Sequence, residues 1–168
     1  MWRFDPDALL AALPRRHVRC FGPEVTIRSS GRPPDPEGSA LFLKGSYNGF
    51  SDRERYRTAN LSNWLAKMGC IERPTSCDIC GRPADDEHAE DYYDLTAWAG
   101  LCRRCHRVAL HNRFTRPDRW IALLDERQLP DTHWSRLLSA EPFDMACLQR
   151  SRGRREPIKA DFRANAER

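Results

Sequence analysis

Between residues 77 and 111 the chain reads CDICGRPADDEHAEDYYDLTAWAGLCRRCHRVALH, a stretch holding four of its seven cysteines and three of its five histidines. The cysteines form two pairs, Cys77/Cys80 and Cys102/Cys105, each with two residues between its members. That gap lets both thiolates of a tight knuckle face one tetrahedral cation. Two knuckles then complete a four-sulfur zinc site, with zinc about 2.3 Å from each sulfur. The 21 residues between the pairs slightly exceed the window of roughly 15–20 usual for such motifs. With zinc satisfied by sulfur, the imidazoles of His88, His106 and His111 are left for a different task.

Length and composition bound what surrounds this stretch. A chain of 168 residues makes one domain, or one small domain with extensions. Charged residues at 31%, apolar residues at 40% and 12 prolines fit a soluble protein with a modest core and long irregular stretches. No apolar run approaches the roughly 18 residues of a membrane helix. The opening MWRFDPDALLAAL mixes acids with apolar residues and lacks a secretion pattern. An odd number of cysteines, four of them suited to metal, argues against a disulfide framework, so a cytoplasmic protein without membrane contact is expected. Cys20, Cys70 and Cys147 stand alone and read as small buried residues. Residues 150–168 carry seven bases against three acids, which accounts for the whole net charge of +4. A basic tail of this kind attracts polyanions by counterion release; a solvated terminus is the alternative, and charge alone does not choose between them.

The elements that must position the cysteines and histidines follow from local pattern. Pro6 at a first turn and Leu9, Leu10 and Leu13 in a stripe predict a short helix over 6–13, stopped by Pro14. Residues 17–28 contain two β-like runs around Gly22-Pro23 and are expected to pair as a hairpin. Residues 29–39 read as a loop. Ser51 and Glu54 form a capping box, and Leu61, Trp64, Leu65 and Met68 make one apolar face that ends at Gly69. Arg53, Arg57 and Lys67 lie on its opposite, solvated face. Tyr92 and Tyr93 are β-formers, and residues 95–98 are expected to continue extended up to Gly100. From Cys102 the chain reads as helical, with Cys105, Val108, Ala109 and Asn112 on one side. Five residues separate His106 from His111, some 500° of α-helical rotation, so their imidazoles should diverge by roughly 140°. Thr115 with Asp118 resembles a cap for a helix over 116–127 packed through Trp120, Ile121 and Leu124. A short helix near 132–139 (Trp134, Leu137, Leu138) and disorder beyond about residue 149 complete the expectation.

The order of these pieces resembles the zinc-containing branch of the HNH, or ββα-metal, nucleases. The residues carrying the resemblance are Cys77-Asp78-Ile79-Cys80-Gly81, His88-Ala89-Glu90-Asp91-Tyr92, Leu101-Cys102-Arg103-Arg104-Cys105-His106 and His111-Asn112-Arg113-Phe114. It covers about 40 residues and does not extend to the amino-terminal third. The resemblance implies a two-strand hairpin and a helix, stapled by structural zinc, that present a second, catalytic cation, Mg²⁺ or another divalent ion. Its imidazole base would take a proton from water, since imidazole titrates near neutrality. Its cation would neutralise charge developing on the phosphate and the leaving oxygen.

Two registers of that family pattern are open. If Glu87-His88 occupies the place of its two adjacent groups, His88 is the general base and Glu87 a metal ligand. If His88-Ala89 occupies it, Ala89 stands where the base belongs and only the metal ligand survives; the spacing to Cys102 favours this second register. His106 matches the position that holds the catalytic metal. Asp91 is a candidate for orienting an imidazole, with an exposed acid the alternative. His111 is a candidate for phosphate or metal. Arg103, Arg104, Arg107 and Arg113, with Arg116 and Arg119 beyond them, suit phosphate oxygens, or form a solvated face balanced by the acidic 85–94 segment.

The expectation is therefore a small α+β protein, a zinc-stapled ββα-metal (HNH-like) module flanked by helices. Residues 1–50 form an extension, 51–140 the helix, zinc module and packing helices, and 141–168 a basic, mobile tail. Its expected function is hydrolysis of phosphodiester bonds in nucleic acid, DNA rather than RNA. The alternatives are an inactive HNH scaffold that binds nucleic acid, and a zinc-stapled protein–protein adapter.

Overall fold

The computed structural model describes residues 5–16, 45–67, 69–129 and 139–156. The sequence-predicted hairpin at 17–28, the loop at 29–39, Met68, most of the helix near 132–139, Cys20 and the end of the tail lie outside the described residues. The protein is a small α+β chain whose described residues fall into two compact units that interleave along the sequence: 5–15, 73–90, 97–129 and 139–143 in one, and 16, 45–67, 69–72, 91–96 and 144–156 in the other.

The first unit begins with helix α1, Pro6–Ala12. Asp5 caps it, its carboxylate accepting from the amides of Asp7 (2.9 Å) and Ala8 (3.2 Å), which satisfies donors that have no intrahelical partner. Leu9, Leu10 and Leu13 are all buried, as their spacing predicts. The unit's sheet is one antiparallel hairpin, β1 (Asp86–Ala89) with β2 (Trp98–Leu101), in the register His88 opposite Ala99. All four residues of β2 are buried. The first cysteine knuckle is tied to β2 from both sides: the Asp78 amide donates to Gly100 O (2.8 Å) and the Gly100 amide to Asp78 Oδ2 (2.9 Å). Position 100 has to be glycine because a Cβ there would lie 2.4 Å from Pro74 Cβ and 2.7 Å from Ser76 O.

After β2 the backbone winds as a π-helical segment, Arg104–Ala109, followed by a 3-10 turn, Leu110–Asn112. The Leu110 amide reaches the carbonyls of both Cys105 and His106, and the Asn112 side-chain amide donates to Arg107 O (3.2 Å) and Val108 O (3.0 Å), carbonyls the widened turn leaves over. This differs from the expected α-helix, and so does its buried side: Cys105 is buried, but Val108 is 65% exposed. Helix α3, Pro117–Glu126, follows with Pro117 in its first turn. The expected Thr115 cap does not form, because that hydroxyl donates back to Asn112 O (3.1 Å) and Arg116 takes the capping position. Trp120 and Leu124 are buried, whereas Ile121 is 43% exposed.

The second unit is built on helix α2, Asp52–Lys67. The capping box is present: the Ser51 amide donates to Glu54 Oε2 (2.8 Å) and the Glu54 amide to Ser51 Oγ (3.3 Å). Gly69 closes the helix at φ +71°. The buried face of α2 is Thr58, Leu61 and Ser62, rotated from the expected Leu61, Trp64, Leu65 stripe, because Thr58 Oγ1 donates to Tyr92 O (2.9 Å) and brings the segment 91–96 against that side. Phe50 is fully buried with the rings of Tyr92 and Tyr93 edge-on at 5.3 and 5.0 Å. Residues 92–96 are turns, not the expected extended segment: Asp94 Oδ1 accepts from the amide (2.9 Å) and hydroxyl (2.6 Å) of Thr96, a local bond that competes with strand pairing. Helix α4, Met145–Ser151, lies within the segment 141–168 that was expected to be a mobile tail, of which residues 157–168 lie outside the described residues. Asp144 caps it through the Cys147 amide (2.7 Å), and Met145, Ala146 and Gln149 are buried. Cys70 is buried as expected, but Cys147 is exposed.

Candidate metal centres

The sulfurs of Cys77, Cys80, Cys102 and Cys105 all lie within 4.8 Å of one another. A tetrahedral zinc with Zn–S near 2.3 Å holds its sulfurs about 3.8 Å apart, and Cys80 Sγ stands 3.7 Å from Cys102 Sγ. A disulfide would need about 2.05 Å, so the cluster is shaped for an ion. As bare thiols the four perturb one another. Donation from Cys105 holds the Cys77 thiol down at about 4, and Cys77 in turn pushes Cys105 up. The donor set and spacing fit a structural metal such as zinc, which joins the knuckle at 77–80 to the start of the π-helical segment.

A second cluster lies in the same unit. One ring nitrogen each of His88, His106 and His111 falls within 4.8 Å of the others. His88 comes from β1, and the other two come from the helical segment. The expected divergence of His106 and His111 does not occur, because i→i+5 hydrogen bonding stacks residues five apart; the ring centroids are 4.3 Å apart. His88 is buried, His106 half-buried and His111 exposed, so the cluster opens to solvent on one side.

Carboxylates fix what the first two imidazoles present. His88 Nε2 is 2.6 Å from Glu90 Oε1, and His106 Nδ1 is 3.0 Å from Asp86 Oδ2. Each of those nitrogens carries the proton toward its carboxylate. The remaining pair, His88 Nδ1 and His106 Nε2, then face each other 3.2 Å apart with lone pairs. Two ring nitrogens at that separation share either a proton or a common metal ion, and ligand nitrogens on a tetrahedral ion with bonds near 2.05 Å sit about 3.3 Å apart. Burial pushes the His88 pKa down against the pull of Glu90, with His106 and Arg113 adding to the depression, so the ring is neutral, the form that binds a metal. Asp86 is held below the usual carboxylate range: burial raises it, but the hydrogen bond from His106 and the Arg107 guanidinium beside it prevail.

Behind His88 stands a buried ion pair. Arg113 Nη2 donates to both oxygens of Glu90 at 3.1 and 3.2 Å, and its other donors reach Ser139 O (3.2 Å) and Leu110 O (3.3 Å). Arg113 is 2% exposed and Glu90 3%. Arg113 is thus no phosphate contact, contrary to the expectation; it fixes the carboxylate that orients His88. Arg107 stands 3.6 Å from Asp86 with its side chain 61% exposed, while Arg103 and Arg104 are exposed.

Two further candidates fall elsewhere. Glu87 points to the strand face opposite His88 and pairs with Arg73 at 3.3 Å, so it supplies no ligand. Ala89 is on that opposite face as well. Asp91 orients no imidazole; it accepts from the Tyr93 amide (2.8 Å) and from Gln149 Nε2. Sequence reasoning missed Glu90, Asp86 and the inward role of Arg113. The alternation Asp86, His88, Glu90 was the available signal, since every second residue of an extended segment shares a face.

Compared with models of protein families, with characterised proteins and with solved structures, the chain matches none.

Proposed function

We propose that the protein is a metal-dependent phosphodiesterase of the ββα-metal (HNH-like) kind, acting on nucleic acid, with DNA the expected substrate. The observation that carries this reading is the convergence of His88, His106 and His111, two of them backed by carboxylates, on one open point beside the hairpin. Three imidazole donors suit zinc, nickel or cobalt better than magnesium, whose preference is for oxygen. The expected ion was Mg²⁺ or another divalent ion, and this donor set favours the latter.

In this reading His88 Nδ1, His106 Nε2 and a nitrogen of His111 hold the ion. Glu90 and Asp86 keep the ligating nitrogens deprotonated by accepting the protons of the opposite ones. His111, exposed at the mouth, lies where substrate enters. Arg103 and Arg107, on the same exposed stretch, can meet phosphate oxygens through paired donors. A divalent ion held here would supply neutralisation of charge on a phosphate oxygen and acidification of water, so an alanine at 89 in place of a general base does not by itself preclude hydrolysis.

Ala89 also favours a second reading, a scaffold that binds nucleic acid without cutting it. Nicking of supercoiled plasmid by zinc-loaded protein separates the two. The assay adds Mn²⁺, Ni²⁺, Co²⁺ or Mg²⁺, with an EDTA control and the variants His88→Ala and His106→Ala. Nicking supported by the transition ions and lost in both variants supports the enzyme. Retardation of DNA without nicking under any ion moves the assignment to the binding scaffold.

A further inference from the structure

A groove runs between the π-helical segment and α3 and ends at the sulfur site, where Cys80, Cys102 and Cys105 line it beside Arg82. Its floor is aliphatic: Val108 and Ala109 from one wall, Ala122 and Leu123 from the other. Val108 is 65% exposed. The rim is basic. Arg104, Arg116 and Arg119 stand along it with Arg82 at its end. Among the described residues none of these four has an acidic partner. The acid on the rim, Glu126, is 3.4 Å from Arg127 and leaves the others uncompensated.

We infer that this groove is a docking site for an acidic, amphipathic segment of a partner protein. An apolar side chain of that segment would rest on Val108 and Leu123, and its carboxylates would meet Arg104, Arg116 and Arg119. The aliphatic floor decides the class of partner. Phosphates would use the arginines alone and leave Val108, Ala109, Ala122 and Leu123 uncovered. An amphipathic helix uses both features at once, the floor for its apolar face and the arginine forks for bidentate carboxylate pairing. The inference does not depend on the histidine cluster, which contributes nothing to the groove.

The test is fluorescence anisotropy with full-length, zinc-loaded protein and three probes. These are a labelled synthetic helix with leucines on one face and glutamates on the other, a glutamate-only peptide of the same charge, and a duplex oligonucleotide. The amphipathic helix should bind at micromolar concentration, and the glutamate-only peptide at least about tenfold more weakly. Val108→Asp and the double variant Arg116→Glu/Arg119→Glu should each weaken the helix about tenfold or more, with an unchanged melting curve because all three positions are exposed. Equal binding of both peptides, or no binding of either, overturns the proposal. So does a duplex that displaces the helix and responds to the arginine changes but not to Val108→Asp, which would make the groove a nucleic-acid contact. Self-association of the free protein that Val108→Asp abolishes would assign the groove to a second copy of the chain, again overturning it.

Discussion

Replacing Glu90 by glutamine removes one charge and almost no volume, at a point where two functions meet. In the native chain its carboxylate accepts His88 Nε2 at 2.6 Å and both hydrogen bonds from Arg113 at 3.1 and 3.2 Å, with neither partner of the ion pair more than 3% exposed. The amide oxygen of glutamine can still accept from one of these donors, but the guanidinium is left buried without a counter-charge. Breaking a buried pair from one side costs about 3–5 kcal/mol, mostly the desolvation of the orphaned ion. For a chain of this length that is a fall in Tm of about 6–20 °C. Removing both charges, as in Glu90→Gln/Arg113→Met, should cost less than the two single changes together, since the second change removes the ion that the first one strands. The metal readout is separate. Weakening the bond to His88 lowers the basicity of its ligating nitrogen, and loss of such a partner typically costs 10–100-fold in metal affinity. Zn²⁺ or Ni²⁺ competition against a chromogenic chelator, on protein whose cysteine site is already filled, measures it. A Glu90→Gln variant that melts within about 1 °C of the parent and keeps its affinity for the second ion would refute both the ion-pair argument and the orientation argument.

Two other outcomes follow from the same geometry. Structural zinc contributes on the order of 10 kcal/mol to a small module, comparable to the whole stability of a domain; Cys102→Ser, or strong chelation, should therefore unfold the unit holding the hairpin, with loss of near-UV circular dichroism and of one equivalent of zinc by elemental analysis, and chelated protein that keeps its native spectrum would contradict the four-sulfur site. In the other unit, burial pushes the Glu54 carboxyl up, but hydrogen bonds from Tyr93, Ser51 and Arg150 outweigh it and hold the pKa at about 2. A carboxyl with a depressed folded pKa stabilises the native state above its unfolded value of about 4.3 and loses that contribution as pH falls toward 2. Urea titrations from pH 5 downward should show the decline, and Glu54→Gln should flatten it; an unchanged slope in the variant would remove Glu54 from the account.

What the residue pattern disclosed and what it hid divide along a physical line. Interactions closed within a few residues were legible: the Ser51–Glu54 box, the stop at Gly69, the leucines of α1, and the two knuckles, whose spacing is set by chain geometry alone. The histidine cluster was legible as a set of residue types but not as an arrangement. Its formation depends on a π-turn, and no local propensity announces one; applying α-helical rotation to His106 and His111 sent them apart by the amount the wider turn brings back. The same turn leaves Val108 exposed. Arg113 makes the point for charge. By composition it belongs with Arg103, Arg104 and Arg107 as a phosphate ligand, yet it is the one turned inward to hold Glu90. A count of basic residues cannot separate a guanidinium that meets a ligand from one that positions the site, because the difference lies in a carboxylate 23 residues away in sequence, brought near only when the hairpin and the π-helical segment have met.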